Sequence, residues 1–179
     1  LYRLGEGLLV KMAQPFLLDD AVNGGLSISL ESLGLMYGTF GVLALVIGGI
    51  LGGWMIKVKG LKKMIWIMAF AMNVPNLLYV YLAWQHPELW VVQLSIVIEQ
   101  FGYGFGFAAF LVYLLYISKG KFKTSFYAIS TATMATGMML PGIISGYLQA
   151  SVGYFWFFII SSIATIPGML IIKFLPIDE

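Results

Sequence analysis

Polar residues in this chain gather in short clusters, and between them run five long apolar segments and one polar-studded one. Each segment is close to the roughly 20 residues a helix needs to cross a hydrocarbon core about 30 Å thick. The pattern predicts helices over about 1–18, 33–56, 62–84, 88–117, 124–149 and 153–175. The first is studded with Arg3, Glu6, Lys11 and Gln14. Asp19, Asp20 and the stretch from Asn23 to Ser27 form the first loop, with Ser29 or Ser32 placed to cap the second helix. Pro75, Pro141 and Pro167 fall inside apolar runs. In water they would end helices, but a protein-packed membrane bundle tolerates them as kinks. The fourth helix is the longest and must tilt or extend into the interface. Apolar residues on every side of the helices argue against a water-soluble bundle, and the absence of period-two alternation argues against a barrel.

Composition sharpens this picture. Hydrophobic residues make up 60% of the 179 positions and charged residues only 10%, against about 25% charged in an ordinary soluble domain. The expected fold is therefore an all-α membrane protein, a six-transmembrane-helix bundle in contact with membrane lipids. With no cysteine in the chain, disulfides, thiolate metal sites and cysteine nucleophiles are excluded. His86, in Trp84-Gln85-His86-Pro87-Glu88, reads as a surface imidazole between two apolar runs. There is no Walker loop, dinucleotide fingerprint or nucleic-acid motif, and no catalytic constellation or metal-ligand cluster. No enzyme activity, cofactor, metal or nucleic-acid partner is expected. The start at Leu1 lacks the pattern of a signal peptide, so the piece is expected to begin partway into a longer protein.

Charge gives orientation. Lys57, Lys59, Lys62 and Lys63 cluster between the second and third helices, and Lys119, Lys121 and Lys123 between the fourth and fifth. The opposite loops carry no lysine or arginine. By the positive-inside rule the lysine loops face the cytoplasm. Lys173 falls on the same side, which six spans after an internal start satisfy. Trp84, Trp90 and Trp156 read as an aromatic belt at the other boundary.

Ionisable residues inside apolar helices are functional candidates because each is costly in lipid. At about 100° per residue, Arg3, Glu6 and Gln14 share one face of the first helix, with Lys11 somewhat beyond. Glu6, Lys11 and Gln14 are expected to line a cavity, whereas Arg3, near the helix start, is read as mainly interfacial or structural. Glu99 lies more than ten residues from either boundary of the fourth helix. Three readings stay open for it: proton coupling or substrate contact, an ion pair with Lys11, or a protonated packing residue. Gly102 and Gly106 form a small-xxx-small pair suited to close helix packing or to sliding contacts, and glycines recur through the second helix. Tyr103, Phe105 and Phe107 are spaced alternately, and no single aromatic platform is expected from them. Asn73 and Asn76, bracketing Pro75, could bond a solute or repair the kinked backbone.

The stretch Gly52-Gly53-Trp54-Met55-Ile56-Lys57-Val58-Lys59-Gly60-Leu61-Lys62-Lys63 resembles the signature loop that major facilitator superfamily transporters carry between the second and third helices of each half. Gly53, Gly60, Lys62 and Lys63 match the pattern. Lys57 stands where an acidic residue is usual and Val58 where a basic one is. Gly137-Met138-Met139-Leu140-Pro141-Gly142-Ile143-Ile144-Ser145-Gly146 resembles the glycine-proline pattern of the fifth helix of a half. The opening, Tyr2-Arg3-Leu4-Gly5-Glu6 to Pro15-Phe16-Leu17-Leu18-Asp19, resembles the seventh helix of the muropeptide permease and acetyl-coenzyme A transporter branch. The resemblance implies one half of such a fold, the C-terminal six helices, completed by an N-terminal six-helix half of the same polypeptide. It also implies proton-driven alternating-access transport of a small-molecule substrate, muropeptide-like in the nearest branch. By the same analogy the first, second, fourth and fifth helices line the cavity, placing Glu6, Lys11 and Glu99 there. A channel or permease subunit and a noncatalytic membrane scaffold are the alternative readings.

Overall fold

The computed structural model describes residues 3–118 and 122–177, and among them every regular element is helical. Helix α1 spans Leu4–Leu18. A turn of 3-10 helix at Ala21–Asn23 leads to α2, Leu30–Lys59. Ser29 caps α2, its hydroxyl accepting from the Ser32 N–H at 3.2 Å. Helix α3, Leu61–Gln85, is broken between Asn73 and Asn76, and α4 is Leu89–Ile117. The rest is one helical run from Lys123 to Phe174 interrupted at Gly153, whose φ of 77° and ψ of 168° are not helical. It is taken here as α5 (123–152) and α6 (154–174). Lys119 and Lys121 lie outside the described residues.

Close contacts fix the direction of each helix. Along α1, Arg3 approaches Met134, Gly7 approaches Pro141, and Lys11 approaches Gly142, so α1 and α5 run parallel. Gly5 packs on Thr165 and Phe16 on Tyr154, so α6 runs back against α1. The chain therefore reverses at Gly153 with essentially no loop. Glycine is needed there because few side chains tolerate a positive φ. On α4, Gly102 and Gly106 meet Ala71, Met68 and Met72 of antiparallel α3, while Gly104 meets the Leu45 carbonyl of parallel α2. Gly48 and Gly52 answer from α2 against Phe101 and Phe105. About two turns of α4 are thus held between two backbones at distances that a Cβ would not allow. Close approach replaces the hydrophobic drive missing between helices in lipid.

Two buried clusters fill the ends of the bundle. At the end with the acidic first loop, Phe16, Tyr79, Phe157 and Phe158 pack with Leu9, Leu17 and Val92. At the lysine end, Ile56, Leu61, Met64 and Met68 pack with Phe105 and Ile172. The third helix of each triplet bends at a proline: α3 at Pro75 and α6 just before Pro167. Asn73 Nδ2 donates to the Ala69 carbonyl at 2.8 Å, so this side chain serves the backbone of the kinked helix. Large side chains such as Ile50, Trp54, Leu94, Trp90 and Trp156 remain exposed around the outside, as a lipid-facing surface requires.

Candidate functional site

Two polar clusters are buried where α1 faces α4. In the first, Arg3 is 5% exposed, so it enters the bundle instead of snorkelling to the interface. Its Nη2 donates to Glu6 Oε1 at 2.6 Å and to the Tyr103 hydroxyl at 2.8 Å, and its Nη1 approaches Met134 Sδ at 3.9 Å. The guanidinium carbon lies 5.5, 4.8 and 5.9 Å from the ring centroids of Tyr103, Phe107 and Phe110. These rings recur at i, i+4 and i+7 on α4, and Tyr103 and Phe107 are stacked at 5.6 Å. An aromatic platform therefore exists, contrary to the expectation from Tyr103, Phe105 and Phe107. Phe105 points instead into the lysine-end core. Each cation–π contact adds about 0.5–2 kcal/mol depending on desolvation. The pairing is incomplete: Arg3 Nε and Glu6 Oε2 are buried with no hydrogen-bond partner.

The second cluster lies further along α1. Glu99, 4% exposed, accepts one hydrogen bond, from Gln100 Nε2 at 2.9 Å. Beside it the hydroxyls of Tyr37 and Tyr79 meet at 2.5 Å. Gln14, Tyr37, Tyr79, Glu99 and Gln100 bound a cavity of about 150 Å³, which has room for several waters. Tyr37 sits in a π-helical stretch of α2, Met36–Gly41, a geometry frequent at functional sites. No lysine, arginine or histidine reaches ion-pair distance of Glu99 among the described residues, so the pairing with Lys11 is not formed. A carboxylate in this position can take up and release a proton or face a cationic group.

The remaining candidates divide by position. Lys11 and Gln14 are exposed on α1, with the Lys11 stem lying along Gly142. Pro141 is buried against Gly7, whereas Gly137 and Gly146 have nothing within reach of a Cβ. Gly53 is likewise open. Gly60, with φ 83°, is the single-residue turn between α2 and α3, and its N–H closes α2 on the Ile56 carbonyl at 2.8 Å. Lys57, Lys62 and Lys63 are exposed around that turn. Sequence reasoning missed Phe110, Tyr37, Tyr79 and Gln100. The i, i+4, i+7 spacing could have found Phe110; nothing in the sequence marks the tyrosine pair.

Buried charges within apolar helices, tight glycine crossings and an outer surface of bare hydrophobic side chains define a multi-pass membrane protein of the transporter-bundle class. Residues 3–179 match the Major Facilitator Superfamily, and the chain belongs to that family as one half of its helical fold. It is 28% identical over 172 residues to "Putative transporter AmpG 1" of Rickettsia felis, covering 96% of this chain and 38% of that protein. It is 25% identical over 176 residues to "Putative transporter AmpG 2" of Rickettsia typhi, covering 98% and 42%. The chain thus spans about two-fifths of the length of these curated relatives.

Proposed function

We propose that this chain is the C-terminal half of a secondary transporter, paired with an N-terminal half of the same polypeptide, that moves a small solute by alternating access. The lysine loops face the cytoplasm and the protein resides in the inner membrane. Transport is coupled to protons through Glu99, with Glu6, Lys11 and Gln14 lining the solute path. One observation carries the reading: Glu99 is buried midway along a membrane helix, hydrogen-bonded to Gln100 and unmatched by a cation among the described residues. A carboxylate kept only for ion pairing would have such a partner. Membership of the family supports transport, and the resemblance to the muropeptide permease branch makes a muropeptide-like solute the first to assay.

The test is solute uptake with internal pH recording in proteoliposomes of the full-length protein, over muropeptides and small organic acids. Solute-dependent proton entry that disappears in Glu99→Gln, with solute binding retained, supports the coupling role. Proton entry unchanged in the variant removes Glu99 from it, and no flux across the whole panel would favour a channel subunit or a scaffold.

A further inference from the structure

Helices α4 and α5 pack little against each other near the lysine end. The gap between them is a cavity of about 340 Å³ with Arg3 at one wall and Ser130, Thr133 and Met134 of α5 at another. The flat guanidinium is covered by aromatic rings, which leaves its in-plane edges for bonding. Only Nη2 is fully used, on Glu6 and Tyr103. Nη1 has a sulfur, a weak acceptor, and Nε has nothing although it is buried. An arginine held solely to neutralise Glu6 would be expected to form a two-point fork with it, yet Glu6 Oε2 is also buried without a partner. Ser130 is half-buried in the wall, and its hydroxyl has no hydrogen bond among the described residues.

We propose that this gap is an anion seat, in which a carboxylate of the transported solute accepts from the Arg3 Nη1 and takes a further hydrogen bond from Ser130. Nη1 has only a sulfur acceptor to give up, and the rings hold the guanidinium at a fixed angle without competing for its N–H groups. Glu6 is then the resident competitor: its negative charge beside Arg3 weakens capture of a second anion. The inference deepens the transport reading and rests on it, assigning the solute a negatively charged group.

The experiment is equilibrium binding of D-glucuronate and of its neutral counterpart D-glucuronamide to the full-length protein in lipid nanodiscs. Glucuronate is expected to bind more tightly. Arg3→Gln is expected to abolish that preference through a loss of about tenfold or more, the value of a charge-assisted hydrogen bond. Glu6→Gln is expected to strengthen glucuronate binding, an outcome a purely structural ion pair would not give. Ser130→Ala, which removes only a free hydroxyl, is expected to weaken it severalfold and carries the test should Arg3→Gln fail to fold. Equal binding of the two probes, no binding of either, or a preference untouched by Ser130→Ala and by Glu6→Gln overturns the seat. Proton flux is measured separately: flux without charge preference leaves the transport reading standing and removes the seat, and charge preference without flux does the reverse.

Discussion

The Tyr154 hydroxyl donates to the Asp19 carboxylate at 2.5 Å, tying the end of α1 to the first turn of α6. Asp19 also accepts the Ser27 N–H on its carbonyl at 2.9 Å, so one residue organises the first loop and anchors it to α6 at the same end of the bundle. A hydrogen bond to a charged group contributes about 1.5–3 kcal/mol. Tyr154→Phe is expected to cost stability in that range, read from thermal unfolding in nanodiscs. In a double-mutant cycle with Asp19→Asn the second substitution should add little. Full additivity would mean that the two side chains act separately.

The glycines of α4 make a contrast that can be measured. At Gly104 a Cβ would collide with the Leu45 carbonyl, and at Gly102 with that of Ala71, both rigid backbone. Gly104→Ala and Gly102→Ala should each destabilise by about 1–3 kcal/mol or more, the usual range for overpacking. Gly53→Ala and Gly146→Ala, where a Cβ meets nothing, should be neutral in the same unfolding assay. A large loss at Gly146 in the full-length protein would instead locate a contact with the other half.

The π-helical stretch Met36–Gly41 places Tyr37 against Tyr79. Deleting Gly38, which touches nothing, is expected to restore regular helix. With the later part of α2 pinned by Gly48 and Gly52, the earlier part would turn by about 100°. A double-mutant cycle of Tyr37→Phe and Tyr79→Phe, read from thermal unfolding in nanodiscs, should show a coupling of about 0.5–1.5 kcal/mol in the parent register and none in the deletion variant. Coupling that persists would show that the bulge does not set this register.

Orientation can be read by labelling single cysteines. Val22 is 97% exposed in the first loop, and Lys59 is exposed at the opposite end of α2. In intact cells Val22→Cys is expected to react with an impermeant maleimide, and Lys59→Cys only after the membrane is opened. The reverse pattern would overturn the assignment of the lysine loops to the cytoplasm.

Much of the architecture was legible because lipid removes alternatives: a long apolar run there must be a helix. Pro75 and Pro167 marked kinks, and Gly60 among its lysines marked a turn. Between the interfacial and structural readings of Arg3 the sequence could not choose, because a long side chain near a helix start can reach either water or the interior, and only packing against Tyr103, Phe107 and Phe110 decides which. The tyrosine pair was hidden because Tyr37 and Tyr79 sit in apolar stretches 42 residues apart, where a ring reads as lipid-facing or core. The Lys11 pairing failed for a geometric reason: α1 turns Lys11 toward α5 while Glu99 lies on the α4 side. The open glycines Gly137 and Gly146 look the same in sequence as the crowded Gly102, since crowding belongs to the neighbouring helix.

Gly153 joins α5 to α6 through one non-helical residue. Such a hinge has no slack, so the 52 residues from Lys123 to Phe174 form a closed hairpin whose two arms are held together at Gly153 and can part only at their other ends.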